Sequence, residues 1–371
     1  MKQLSKKLLM ASAAAAVWSA AGAAEKAPTL AEVLKASGID VTGYLDATYT
    51  NFDTSPPMYQ ANTTEKNAFT PNAADLAVSY LPATGAGGML EMMAGKDVEF
   101  NHAKGWNSTE FDLLQAYAQY ATSAVTVMAG KFTTIAGAEV PQAPSNANIS
   151  RSLLYTLAIP VTHTGLRATI PVSDALKFTA GVNNGWDVVK ESASGNCVGA
   201  NCADAKTIEL GVAANPSKML GLTAAFYSGE EAGTTAVGTR NLVDVVGTFN
   251  VTDALTLVLN YDSGDQEHGA AGGGKAKWNG VAAYANYAFT DKLRGSLRVE
   301  SFDDKNCFRT SCTTGSQKLS ESTVTVGYMV AKGFELRAEY RTDDSNKQVF
   351  TKGSGTTDKQ NFYGLEAVYK F

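Results

Sequence analysis

From Ile39 to the C-terminus, apolar and polar residues alternate with a period of two. In 333–341, Phe334, Leu336, Ala338 and Tyr340 share one face, and Glu335, Arg337, Glu339 and Arg341 share the other. In 292–301, Leu293, Gly295, Leu297 and Val299 oppose Arg294, Ser296, Arg298 and Glu300. In 363–371, Tyr363, Leu365, Ala367, Tyr369 and Phe371 oppose Gly364, Glu366, Val368 and Lys370. This period puts each set on one side of a sheet. Earlier segments repeat the pattern more weakly, as in Leu45, Ala47 and Tyr49 against Tyr44, Asp46 and Thr48.

The pattern predicts about sixteen strands, near 41–50, 73–82, 88–97, 111–121, 124–133, 161–171, 176–186, 206–215, 220–229, 240–250, 254–264, 277–289, 292–302, 319–329, 333–343 and 361–371. Each is about ten residues, the length of a tilted membrane strand. The connections alternate between short and long, the long ones being 51–72, 98–110, 134–160, 187–205, 230–239, 265–276, 303–318 and 344–360. A soluble sandwich alternates in polarity too, but has no reason to keep its short turns at one end for the whole chain. The predicted fold is all-β, a transmembrane antiparallel β-barrel of about sixteen strands over 39–371. It has short periplasmic turns, long extracellular loops and a last strand that pairs with the first. Tyr49, Phe52, Tyr80, Phe111, Tyr120, Tyr261, Phe289, Phe302 and Tyr328 lie near segment ends, where interfacial aromatic girdles sit.

The N-terminus differs. Residues 25–38 carry Leu30, Val33 and Leu34 at helical spacing and stop at Gly38, predicting a short periplasmic helix. Ahead of it, Lys2, Lys6 and Lys7 precede an uncharged Ala-rich stretch that ends in Ala21-Gly22-Ala23-Ala24. This is the pattern of a secretory signal peptide over 1–24, cleaved after Ala23 or Ala24. Beyond it no apolar run reaches 18 residues, which excludes a helical span. The formal charge of −5 becomes more negative once the three signal lysines are removed, and no basic cluster stands out. Nucleic acid is therefore not an expected partner. Outer-membrane lipid and small hydrophilic solutes or ions are.

Four cysteines form two close pairs, Cys197/Cys202 and Cys307/Cys312. After export, a disulfide within each pair is the simplest reading. A zinc site would need thiolates in an oxidising compartment and would have to join pairs far apart in sequence. No metal or other cofactor is expected. Catalytic residues are not expected either. The chain has only three histidines, His102, His163 and His268, with no G-x-S-x-G and no phosphate-binding loop.

Two segments resemble a known family. LAEVLKASGIDVTGYLD (30–46) looks like the start of the OmpL-like family of β-barrel porins, and SRSLLYTLAIPVTHTGLRATIPVSDALKFTAGVNNGWD (150–187) resembles its central signature. The most recognisable pieces are Ile159-Pro160, Thr162-His163-Thr164-Gly165 and Asn184-Gly185-Trp186-Asp187. The resemblance covers most of the chain, best in 30–50 and 110–190. It implies an outer-membrane barrel acting as a porin and implies nothing about the solute.

In such a barrel, function lies in what narrows the lumen and what charges line it. The 134–160 connection is unusually apolar, with Ile149, Leu153, Leu154, Tyr155, Leu157 and Ile159. It predicts a short helix capped by Asn148 or Ser150. The expectation is that this loop folds into the lumen, with Glu139 and Arg151 lining it; the alternative is a helix packed on the rim. Pore-lining charges are expected at Arg167, Lys177, Arg294, Arg298, Glu300, Glu335, Arg337, Glu339, Arg341 and Glu366, with inward acids at Asp46, Asp75, Glu91, Glu209, Asp244 and Asp262. Charges are costly on a lipid face, so these point inward. They would set up a transverse field or, as favoured for most of them, pair across strands to stiffen the wall. The expected function is a passive porin for small hydrophilic solutes. A non-conducting barrel used as a surface scaffold, adhesin or partner-protein conduit is the alternative. The chain would be a monomer or a homo-oligomer such as a trimer. Gly211, Ala213, Ala214, Gly221, Ala224 and Ala225 are candidates for a lipid-facing protomer contact.

Overall fold

A computed structural model describes residues 28–105, 110–190, 196–312 and 315–371. The expected signal peptide lies outside the described residues. By contact density the chain divides at Asp40 into two units. Among the described residues the first contains one helix, α1 (Leu30–Ser37). Its first turn is closed by a capping exchange, in which Thr29 N donates to Glu32 Oε2 at 2.7 Å and Glu32 N donates to Thr29 Oγ1 at 3.3 Å.

The second unit is a closed antiparallel barrel. In chain order its strands are β1 (Asp40–Phe52), β2 (Ala68–Tyr80), β3 (Gly85–Ala94), β4 (Phe111–Ala121), β5 (Thr126–Thr133), β6 (Thr162–Ser173), β7 (Leu176–Asn183) and β8 (Thr207–Ser217). They continue as β9 (Leu220–Ala232), β10 (Val237–Asn250), β11 (Leu255–Gln266), β12 (Ala276–Ala288), β13 (Leu293–Asp304), β14 (Gln317–Ala331), β15 (Phe334–Ser345) and β16 (Lys359–Lys370). Each strand pairs with the next. Closure comes from β1 on β16, in a register that sets Leu45 opposite Tyr369 and Phe52 opposite Phe362. Closing the ring satisfies every ladder and leaves no edge in lipid.

Side-chain parity does the sorting. On β13, Leu297 and Val299 are exposed while Arg298 and Glu300 are buried; on β15, Leu336 and Tyr340 are exposed while Arg337, Glu339 and Arg341 are buried. In a bilayer the exposed apolar set faces acyl chains. The short turns need special residues only where they are tightest, as at Lys332-Gly333, where Gly333 takes φ 78°.

Three expectations need correction. The connection expected over 230–239 is a four-residue turn, 233–236, closed by Gly233 N on Ala236 O at 3.0 Å. Its flanks are polar but remain paired, Glu231 opposite Gly238 and Ala232 opposite Val237, so polarity there marks strand beyond the apolar band rather than loop. Phe52 and Phe302 are not girdle residues. Both are buried inside, because they share inward parity with Thr50 and Glu300. The small residues of 206–226 do not form a lipid-facing patch: Gly211 and Ala213 share parity with buried Glu209, Gly221 and Ala225 share parity with buried Tyr227, and only Ala214 and Ala224 point outward.

Cys197–Cys202 and Cys307–Cys312 are disulfide-bonded. The first pair closes a two-residue-strand hairpin in the connection after β7, and the second lies between β13 and β14.

Candidate functional site

The connection between β5 and β6 lies inside the barrel. Its backbone runs 134–161 and touches inward side chains on opposite sides of the lumen. On one side Ala138 N donates to Asn260 Oδ1 of β11 at 3.1 Å, and Thr134 Oγ1 and Ile135 N bond Tyr227 Oη of β9. On the other side the loop meets β13, β14 and β15.

There the charged ladder grips the loop backbone. Four arginines donate to loop carbonyls: Arg294 to Ala147 O at 2.7 Å, Arg298 to Ser150 O at 2.8 Å, Arg337 to Ala143 O at 3.2 Å and Arg341 to Arg151 O at 2.6 Å. Two glutamates accept from loop amides. Glu339 takes Ile149 N and Ser150 N at 2.6 and 2.9 Å, and Glu300 takes Leu153 N and Leu154 N at 2.7 and 3.3 Å. An irregular loop has no ladder of its own, so buried wall charges take the place of strand partners. Hydrogen bonds to charged groups contribute about 1.5–3 kcal/mol each.

The same charges pair with each other. Arg298 lies 2.8 Å from Glu139 and 3.0 Å from Glu321, Arg337 2.9 Å from Glu366 and 2.7 Å from Glu335, Arg294 2.5 Å from Glu335, and Arg341 2.6 Å from Asp343. Glu139 also accepts Ser152 N at 2.6 Å, so the loop contributes its own acid to the clamp. Arg151 is fully buried and turns back on the loop, donating to Val140 O, Ile149 O and Pro141 O. It braces the loop rather than lining a pore. Arg167 pairs with Glu209 at 2.6 Å and sits 4.1 Å from the Phe132 ring. Lys177 alone of the expected charges is well exposed. Of the other inward acids, Glu91 takes Gln115 and Gln142 at 2.6 and 2.7 Å, and Asp244 takes Asn260 at 2.7 Å. Asp46, Asp75 and Asp262 are buried on the wall.

The expected helix is a single wide turn over Leu154–Ala158. Neither Asn148 nor Ser150 caps it. Ser152 Oγ accepts Tyr155 N at 2.9 Å, and Glu300 reaches in from the wall to take the leading amides. Asn148 is an anchor to Thr325 at 2.6 Å, and Ser150 bonds Glu339. Above the turn, Leu153, Leu154, Tyr155 and Leu157 pack with Trp186, Trp278, Tyr227 and Phe302 in one buried cluster. Trp278 Nε1 donates to Ala158 O at 3.2 Å. Gly280, beneath, has no room for more: a Cβ there would lie 2.7 Å from Leu154 Cδ1. Tyr155 Oη donates to Asn101 Oδ1 at 2.8 Å, tying in the connection after β3. In that connection burial pushes the Asp97 carboxyl up to about 7, against the pull of Arg151 and of the Asn72 and Asn62 amides.

Below the loop the lumen opens. A cavity of about 900 Å3 is bounded by loop residues 144–147 and by Arg294, Glu335 and Arg337. On β8–β11 part of the wall is small and neutral, with Ala213, Thr223, Thr248 and Thr256, while Glu209, Tyr227, Asp244 and Asp262 share the same inner face. A further cavity of about 310 Å3 there is lined by Ala213, Thr223, Val246 and Thr248 among others.

Sequence reasoning missed Glu321 and Asp343, the wall partners of Arg298 and Arg341. Both sit at inward parity, Glu321 with Thr323 and Thr325, and Asp343 with Arg341. Strand parity alone would have found them.

A family model described as putative beta-barrel porin-2, OmpL-like, matches residues 38–371. The chain belongs to the OmpL-like β-barrel porin family. It is an outer-membrane porin, a passive diffusion channel of the bacterial outer membrane. Solved structures share its fold. The anion-selective porin from Comamonas acidovorans is 11% identical with a TM-score of 0.65, over 90% of this chain and 99% of that one. OmpF of Salmonella typhi in complex with daunomycin is 15% identical with a TM-score of 0.61, over 90% and 97%. The trimer form of OmpT from Vibrio cholerae is 12% identical with a TM-score of 0.59, over 90% and 99%. No curated relative matches this porin.

Proposed function

We propose that this porin is a narrow-bore channel whose constriction is the 134–161 loop, held by the Arg/Glu clamp of β13–β15. Solutes pass between that loop and the small-residue stretch Ala213, Thr223 and Thr248 of the opposite wall. The observation that carries this reading is the dense bonding of loop backbone to Arg294, Arg298, Glu300, Arg337, Glu339 and Arg341 on one side, with fewer bonds, to Tyr227 and Asn260, on the other. What the loop leaves to the solute is the part of the opposite wall built from Ala213, Thr223 and Thr248. The chemistry is passage rather than catalysis. His163 is buried, stacked 4.8 Å from Tyr227 with Nδ1 on Gly185 O, which suits a wall residue. His102 and His268 lie in connections between strands. A homotrimer is the proposed assembly, supported by the trimer form of OmpT.

The packing of the loop's turn against Trp186, Trp278, Tyr227 and Phe302 inside the barrel favours one second reading, a barrel that conducts little and serves as a surface scaffold. Planar-bilayer recording and liposome swelling with neutral sugars of increasing size separate the two. Stable small steps with passage of monosaccharides but not larger sugars are expected. A folded, heat-modifiable barrel that neither conducts nor swells liposomes would support the scaffold instead.

A further inference from the structure

Two guanidinium groups at the outer end of the lumen are packed on aromatic rings and, among the described residues, make no direct ion pair, with Glu231, Asp187 and Asp304 acting on them at longer range. Arg240 starts near the outer end of β10, with its guanidinium carbon 4.9 Å from the Trp186 ring centroid and 5.3 Å from that of Phe308. Arg309, in the connection after β13, lies 5.8 Å from Trp186 and 5.5 Å from Trp278. Both cations therefore share Trp186 as a neighbour.

Their donors are only partly spent. Arg240 gives Nε to Gln266 Oε1 at 2.7 Å and Nη2 to Ala232 O at 2.9 Å. Arg309 gives Nε to Leu157 O. The nearby acids are committed to other groups. Glu231 takes Trp186 N at 2.8 Å and Thr207 Oγ1 at 3.2 Å; Asp187 takes Val161 N and Thr162 N; Asp304 takes the amides of Phe308, Arg309 and Thr310. Trp186 Nε1 is a further buried donor without a partner.

The contrast with the clamp is sharp. Arg167, Arg294, Arg298, Arg337 and Arg341 each have a carboxylate oxygen within 2.9 Å. Arg151, which has none, spends its donors on three loop carbonyls. Among the described residues Arg240 and Arg309 have neither arrangement. Burial and the neighbouring Arg240 cation push Arg309 down to about 10 against the pull of Asp187, Asp304 and Glu231, and a bound anion would add to that pull.

We infer that Arg240 and Arg309, flanked by Trp186, Trp278 and Phe308, form an oxyanion site at the outer mouth of the lumen. Its ligand is a phosphate or the carboxylate of an organic solute. Guanidinium forks match either group through paired N–H donors, and the aromatic faces suit an organic body. Arg309 is anchored on the loop's helical turn, so a solute entering from outside meets the site before the constriction. The inference adds a solute class to the channel reading and rests on that reading only for its transport consequence.

Tryptophan fluorescence of the intact folded barrel tests it, since Trp186 and Trp278 flank the site. The protein is titrated with sodium phosphate and, separately, with succinate, at ionic strength held constant with sodium chloride. A saturable change with at least one of them, absent with chloride, is expected. Saturation by phosphate alone would identify an inorganic ligand, and saturation by succinate an organic carboxylate. Arg240→Gln and Arg309→Gln should each weaken binding at least tenfold. Arg309→Lys, which keeps the charge and loses the fork, should weaken it several-fold and stands in if either Gln variant fails to fold. No saturable change with either anion, or titrations unaltered in the variants, would overturn the site. Because binding is read without conduction, a barrel that binds but does not conduct would contradict the channel reading and leave the site standing.

Discussion

The two sides of this lumen are built from the same kind of strand and put to opposite uses. On β13–β15 the inward positions are Arg298, Glu300, Glu321, Arg337, Glu339 and Arg341, all buried and all committed to each other or to loop backbone. On β8–β10 the inward set is mixed: Ala213, Thr223 and Thr248 are small and neutral, Glu209 and Asp244 are buried acids, and Tyr227 takes the Ile135 amide of the loop. The outward face must be apolar on both sides, so only the inward parity is free to differ. On the proposed reading, a lumen is narrowed by charging one wall to bind a loop and kept passable by small side chains on part of the other.

Breaking the charged side should have the largest effect. Arg298→Ala strands Glu139 and Glu321 and releases Ser150 O. Removing one partner of a buried ion pair typically costs about 3–5 kcal/mol. Single-channel conductance should rise several-fold and the barrel-to-unfolded mobility transition on heating should move to lower temperature, with Arg298→Lys intermediate in both. Filling the neutral side comes next. Ala213→Trp or Thr223→Trp should cut conductance by more than half with little change in heat stability, whereas the same substitution at lipid-facing Ala224 should leave conductance alone. Charge reversal of the exposed lumen lysine should be smaller still. Lys177→Glu is expected to shift the reversal potential in a salt gradient toward cations without altering step size greatly.

The smallest effect is on pH. The Asp97 carboxyl is raised from its ordinary 3.8 to about 7 by burial, so the folded protein holds a proton there that the unfolded chain gives up. Its contribution to stability is complete below about pH 4 and is lost as pH rises through about 7. The thermal transition should therefore fall modestly between pH 5 and pH 8, and Asp97→Asn should flatten that slope.

Much of this contrast could be read in the sequence because strand parity is a strict rule. Parity alone set Arg298, Glu300, Arg337, Glu339 and Arg341 on the inner face, and the apolar run Leu153-Leu154-Tyr155 marked the loop that folds inward. What the charges do there was not legible. Their partners include backbone carbonyls at Ala143, Ala147, Ser150 and Arg151, and a backbone carbonyl leaves no mark in composition or spacing. Ion pairing and loop binding also use the same side chains, so recognising the first concealed the second. Phe302 and Ala213 were misplaced for a different reason. Residue type suggested a girdle and a protomer contact, yet each obeys the parity of its own strand. The Arg240–Arg309 pair was out of reach, since it joins the start of one strand to a connection almost seventy residues later.

The central claim is that the clamped loop sets the bore. The most direct test is single-channel conductance of the barrel lacking 136–147, recorded beside the intact protein under the same salt. A several-fold larger step, with swelling now permitted for larger sugars, is the predicted result. An unchanged step from a correctly folded deletion barrel would contradict it and place the constriction elsewhere in the lumen.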